Sequence, residues 1–361
     1  MKITTVRMQI VQLPADEPLA DGRGQPGSPR DLVVLKLATA DGIEGLGVTF
    51  FGASLTRALA VAVEDLGLLV IGADPAQVER IAETLRVAAG NSGPGGIFTL
   101  ALAAIDMALW DIRAKALGIS VARLLGGFRD TVPAYASGAL MRTQTLDDTV
   151  RAAGLLIERG WTAMKTQLAL PGDTSPDIEV ERIRLIREVI GPKARLMCDI
   201  NQRWSVHEAI SIGQRIEPYH LDWLEDVTRA DDYDGLARVT AALKTPIAGG
   251  EYVYGLVPFQ QMMRARSVDI VMIDMFRAGG ITPWLKIAGM AEAFNLPVVS
   301  HLIPEVHVHL IAAIPNGQIV EYMPWTAGLF EAPPMPVRGV MTVPQGAGLG
   351  LAFTRRINAG F

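Results

Sequence analysis

The chain has 361 residues, half of them apolar, and a net charge of −5 with acidic and basic side chains interspersed. That length buries a large core, suited to a big barrel or to two domains, and the charge pattern offers no basic stripe for a phosphate backbone, which excludes nucleic acid as a partner. The opening MKITTVRMQIVQLP lacks a continuous apolar run, no stretch reaches the roughly 18 apolar residues of a membrane span, and the single cysteine, Cys198, forms no internal disulfide, so we expect a soluble cytoplasmic protein with no membrane partner.

Residues 1 to about 50 read as antiparallel strands, with DLVVLKLATADGIEGLGVTF placing the Asp41–Gly42 turn between two apolar runs. Inside this region ADEPLADGRGQPGSPR, residues 15–30, is polar and rich in glycine and proline, and reads as a loop able to serve as a substrate lid. Helical periodicity follows at 53–70, 76–89 and 98–117, so that 1–127 form an α+β capping domain.

From 128 to 330 short β-rich runs alternate with helical patterns such as 177–190, 205–216, 231–243 and 280–294. The runs are VPAYAS (132–137), AMKTQLA (163–169), RLMCDIN (195–201), LDWLED (221–226), TPIAGG (245–250), DIVMID (269–274), LPVVSH (296–301) and QIVEYM (318–323). Repeated βα units imply a parallel sheet, and eight of them imply closure. The tail, 331–361, is rich in proline and glycine, adds no barrel unit, and is expected to pack back on the cap. The expected fold is α/β: a TIM-type (β/α)7β barrel with an α+β cap formed by the N-terminal region and the C-terminal tail.

A barrel carries its chemistry at the C-terminal ends of its strands. Lys165 and Gln167 come from the second, Asp199 and Asn201 from the third, Glu225 from the fourth and Glu251 from just after the fifth; Asp274, His301 and Glu321 come from the sixth, seventh and eighth. Each alone reads as a solvated loop charge or a helix cap; an ionisable group at seven successive strand ends does not. Asp199, Glu225 and Glu251 are 26 residues apart in turn, one βα unit each, and should meet. Three crowded anions need a cation, and hard oxygen donors without cysteine or histidine favour Mg²⁺. His301 neighbours the strand that bears Asp274, which would orient the imidazole and raise its basicity. His307 and His309, at i and i+2, fall on different helix faces and read as structural.

These residues, in this order, resemble the enolase superfamily, mandelate racemase type, across essentially the whole chain. ALAAIDMALWDIRAKALGISVARLLGG at 101–127 resembles the helix leading into that family's barrel, and GAGLGLAF its closing segment. The resemblance implies Asp199, Glu225 and Glu251 as magnesium ligands, Asp274 and His301 as a dyad, and Glu321 as the group that bonds the substrate's enolic oxygen or carboxylate. Two departures stand out: Gln167 occupies the place of the second lysine of a Lys-x-Lys motif, and Val227 replaces a proline after the second metal ligand.

The implied chemistry is removal of the proton α to a carboxylate of a small-molecule substrate. The enolate would be stabilised by Mg²⁺, by Lys165 and by a protonated Glu321. Gln167 cannot carry a proton, so a two-base racemase or epimerase of a 2-hydroxy acid is disfavoured, and His301 acting alone suits syn β-elimination from an acid sugar to a 2-keto-3-deoxy acid. Gln167, Asn201 and Glu321 would contact the substrate. The alternatives are a cycloisomerase of a sugar lactone, a Schiff-base aldolase using Lys165, and a barrel that binds a sugar acid without turnover. Phe50 and Phe51, after a cap strand, favour a less polar ligand, and the resemblance implies an even-numbered homo-oligomer.

Overall fold

The structure, a computed structural model, describes residues 1–14, 19, 29–170 and 175–361. The expected lid at 15–30 falls largely on 15–18 and 20–28, which lie outside the described residues. Strands β1 (Ile3–Leu13), β2 (Arg30–Thr39) and β3 (Glu44–Thr49) form an antiparallel sheet. The helix Gly96–Leu117 is apolar almost all round because it lies between this sheet and the barrel, and its two buried acids act as clips. Asp111 accepts the Leu46 and Leu349 N–H groups and the Lys115 ammonium. Asp106 accepts both the N–H and the hydroxyl of Thr282, at the start of a barrel helix.

Eight parallel strands follow: β4 (Thr131–Leu140), β5 (Ala163–Gln167), β6 (Arg195–Asp199), β7 (Trp223–Glu225), β8 (Ile247–Gly249), β9 (Ile270–Asp274), β10 (Val298–His301) and β11 (Val320–Tyr322). Each coincides with one of the eight runs expected from sequence. They pair in chain order, β11 returns to β4, and Gln318 N–H donates to Val298 O across the remaining seam. Helices cover the outside. The tail adds β12 (Val340–Thr342) antiparallel to the start of β4, then reaches the cap, where Ile357 O accepts from Gln9. Among the described residues no helix is long and apolar enough to cross a membrane.

Strand alternation builds the interior in layers. Tyr135, Ala163, Met197, Trp223, Ala248, Ile270, Met272, Val299 and Ile319 form a separate apolar plug inside the barrel. Two residues further along six of these strands stand Lys165, Asp199, Glu225, Asp274, His301 and Glu321. The plug is therefore the floor of a charged chamber.

Candidate active site

The ionisable groups of that chamber are all buried. Glu251 joins them from beyond the end of β8 because Gly250 turns the chain at a φ of +128°; a Cβ on Gly250 would stand 2.4 Å from Met272 O, so no other residue fits.

Of the three carboxylates expected to meet, Glu225 and Glu251 are grouped, and the third member of their group is Asp226 rather than Asp199. Oxygens of Glu225, Asp226 and Glu251 lie within 4.8 Å of one another, a grouping that suits a metal ion. Asp199 is adjacent, its Oδ1 accepting the Asn201 N–H at 2.7 Å and its Oδ2 accepting from Gln167 Nε2 at 3.4 Å. Burial pushes Glu225 up to about 7 despite Lys165, and Glu251 up to about 8 despite His301, with Asp199 adding repulsion to both. Asp226 also rises well above the carboxylate range through burial and its neighbour Glu251. An all-oxygen buried donor set, with Asp226 Oδ2 lacking a hydrogen-bond partner, fits a hard divalent cation.

Lys165 is the central cation. Its Nζ lies 2.5 Å from Glu225 Oε1, 2.8 Å from Glu321 Oε1 and 5.6 Å above the Tyr135 ring. Burial opposes its charge, but Glu225 and Glu321 outweigh burial and hold it as an ammonium. Glu321 corrects one expectation, that it is protonated. Both of its oxygens accept, from Lys165 and from the Leu302 N–H at 2.7 Å. Burial raises its pKa, yet Lys165 and His301 overcome that and hold the carboxyl at about 2, so Glu321 is an anion.

His301 Nδ1 lies 2.6 Å from Asp274 Oδ2, and Nε2 lies 3.2 Å from Glu251 Oε2. Burial disfavours the imidazolium, but Glu251 and Asp274 bring it up to about 9. Asp274 stays anionic against burial through His301 and Arg277. Phe51 stacks near the imidazole, ring centroids 6.2 Å apart, and the Arg277 guanidinium lies 4.0 Å from the same ring.

Gln167 is engaged on all sides: Nε2 donates to Asn201 Oδ1 at 3.1 Å and to Asp199, and Oε1 accepts the Arg142 N–H. Asn201 also receives the Arg142 guanidinium and donates to the Tyr252 hydroxyl at 3.2 Å. His307 and His309 are fully buried, with ring nitrogens bonded to Leu302 O and Leu349 O. Sequence reasoning missed Arg142, Asp226, Tyr252 and Arg277. Asp226 directly follows Glu225, and Arg142 follows the end of the first barrel strand, the one strand for which no polar residue was collected. Arg277 sits one helical turn beyond Asp274, whose Oδ1 caps its N–H at 2.7 Å.

Comparison with known proteins agrees with this architecture. Residues 148–357 fit the enolase C-terminal domain-like family model, and residues 5–126 fit the N-terminal domain of the mandelate racemase / muconate lactonizing enzyme family. The L-talarate/galactarate dehydratase of Salmonella typhimurium is 30% identical, over 98% of this chain and 90% of that protein. The D-galactarolactone cycloisomerase of Agrobacterium fabrum is 33% identical over 98% and 97%. The crystal structure of L-talarate dehydratase from Polaromonas sp. JS666, complexed with Mg and L-glucarate, superposes with a TM-score of 0.91 at 32% identity, covering 99% of this chain and 96% of that one. A barrel with this chamber, a cap with this helix, and family matches over both regions lead to one conclusion: the chain belongs to the mandelate racemase/muconate lactonizing enzyme family of the enolase superfamily.

Proposed function

We propose that the protein is a hydro-lyase that dehydrates an acid sugar to a 2-keto-3-deoxy acid, with His301 as its single base and acid. The carrying observation is the asymmetry of the chamber. On one side His301 is oriented by Asp274 at 2.6 Å; on the β5 side Gln167 is bonded to Asn201 and Asp199, and its amide serves as neither acid nor base. The relatives support this reading, since they include dehydratases of acid sugars.

Asp199, Glu225 and Glu251 would hold Mg²⁺, which when bound supplies positive charge to the substrate carboxylate and to the enolate that forms from it. Lys165 sets a second fixed charge beside that carboxylate, kept an ammonium by Glu225 and Glu321. His301 must be neutral to act as a base, and Glu251 is the first anion that holds its proton. The imidazole then takes the α-proton, breaking Cα–H. It returns that proton to the β-hydroxyl as Cβ–O breaks and water leaves, and the enol tautomerises to the ketone. Asp274 fixes the ring tautomer and balances the transient imidazolium. Glu321, as an anion, holds Lys165 and the Leu302 N–H in place, while Gln167 and Asn201 would contact hydroxyls.

The test is a panel of acid sugars and lactones incubated with protein and Mg²⁺ in D₂O. Semicarbazide-reactive keto acid is expected. An isomeric, non-keto product would instead make the protein a cycloisomerase, as two relatives are. Ligand binding without α-proton exchange would make it a binding barrel. A Schiff-base role for Lys165 is disfavoured because its ammonium is held by two carboxylates; borohydride with a keto acid should leave it unlabelled. The same proposal includes an even-numbered homo-oligomer, read by light scattering.

A further inference from the structure

We infer that Asp226 is a fourth carboxylate of the divalent-cation site, with Oδ2 as its donor atom. This rests on the cation-dependent reading above. Were β7 to continue, alternation would point Asp226 away from Glu225. Instead the backbone turns at Asp226 to a φ of +43°, a left-handed conformation that aspartate adopts more readily than most residues. Both of its main-chain groups are tied down: its N–H donates to Ala248 O at 3.0 Å, and its carbonyl accepts the Gln202 N–H at 2.7 Å. The turn swings the side chain back to the chamber, within 4.8 Å of oxygens of Glu225 and Glu251.

What separates Asp226 from its neighbours is the state of its oxygens. It is 2% exposed, and Oδ2 has no hydrogen-bond partner. Glu225 is bonded by Lys165 and by the Trp223 indole N–H; Glu251 faces His301; Asp199 accepts from Asn201 and Gln167. A buried carboxylate oxygen with no donor is costly, and its persistence needs a reason. Space is also kept for this side chain. A Cβ on Gly249 would stand 3.2 Å from Asp226 Oδ1, tighter than most real contacts, and glycine at the end of β8 avoids that crowding. A six-coordinate cation held by Asp199, Glu225 and Glu251 still has room for a fourth protein oxygen.

The experiment is metal binding to the full, EDTA-treated chain, with Mn²⁺ followed by electron paramagnetic resonance, Mg²⁺ by calorimetry, and melting temperature recorded with and without metal. Asp226→Asn keeps the shape and removes the charge. Expected is a loss of affinity of about ten- to a hundredfold, a smaller metal-induced rise in melting temperature, and a metal-free melting temperature equal to or above wild type. Unchanged affinity overturns the inference, and so does a variant that loses metal-free stability but binds metal normally, because its role is then structural. Wild-type protein that binds no metal overturns the cation-dependent reading itself and Asp226 with it. Should Asp226→Asn fail to fold, Gly249→Ala presses a Cβ to 3.2 Å from both Asp226 Oδ1 and Val268 Cγ1 without altering a carboxylate; weaker metal binding at an unchanged metal-free melting temperature is expected, and unaltered affinity counts against Asp226.

Discussion

Asp274 Oδ2 lies 2.6 Å from His301 Nδ1 and leaves the other ring nitrogen, 3.2 Å from Glu251 Oε2, as the atom that faces the chamber. An anion on each side of the ring favours the imidazolium. In EDTA-treated protein we therefore predict that His301 keeps its second proton up to about pH 9. Removing one anion weakens that hold, so Glu251→Gln should lower the value. Nuclear magnetic resonance of ¹⁵N-histidine-labelled protein reads it directly, and a titration that does not move in the variant contradicts the assignment of Glu251 as the cause.

With a turned-over substrate in hand, His301→Asn should lower kcat by about 10²- to 10⁴-fold, the ordinary worth of a positioned base, while KM changes little. Asp274→Asn should fall in the same range because it releases the ring tautomer. Full turnover in His301→Asn would end the single-base mechanism.

Gln167 can be converted into a test of stereochemistry. Gln167 Nε2 is 3.1 Å from Asn201 Oδ1 and 3.4 Å from Asp199 Oδ2, two acceptors that would also suit an ammonium. Gln167→Lys would place a second proton carrier on the β5 side of the chamber. The expected result is deuterium in recovered substrate together with its α-epimer, above the wild-type background, read by proton resonance in D₂O. Deuterium without epimer would mean that the new lysine does not reach the opposite face.

The eight strands were legible because each packs an apolar residue on the plug and, in six cases, a charged one two places later, a pattern that survives in sequence as a short run ending in an acid, a lysine or a histidine. Asp226 was hidden for the same reason: strict alternation directs it outward, and only a positive φ brings it back. Arg142 and Arg277 were hidden because neither lies in a strand; one follows β4 and the other is carried by the turn that Asp274 caps. The charge of Glu321 depends on Lys165, a neighbour across β4, so no local pattern reveals it. Phe51, noted in sequence only as an apolar residue after a cap strand, stacks near His301 and packs on Phe276 and Arg277 of the barrel, contacts between residues far apart in the chain.

That placement depends on how the cap helix is fixed to the barrel, and Asp106 gives a handle on it. Its oxygens accept the Thr282 hydroxyl at 2.6 Å and the Thr282 N–H at 2.9 Å, while the Trp110 indole donates to the same hydroxyl at 2.8 Å. Asp106→Ala strands two buried donors and should destabilise the fold by about 1–3 kcal/mol. The charge adds a pH dependence with a definite sign. Burial, partly offset by Thr282, raises the folded-state pKa from 3.8 to about 6. A carboxyl that binds its proton more tightly when folded stabilises the fold below about pH 4, and that contribution disappears as pH rises through about 6. A shift of about two units corresponds to about 3 kcal/mol, read as an order of magnitude. Asp106→Asn cannot titrate, so the stability of wild type relative to this variant should fall between pH 4 and pH 7 and then level off. Denaturant unfolding of both proteins across that range measures the difference, in which the titration of the chamber carboxylates cancels. A flat difference would mean that Thr282 holds the Asp106 anion more strongly than burial opposes it.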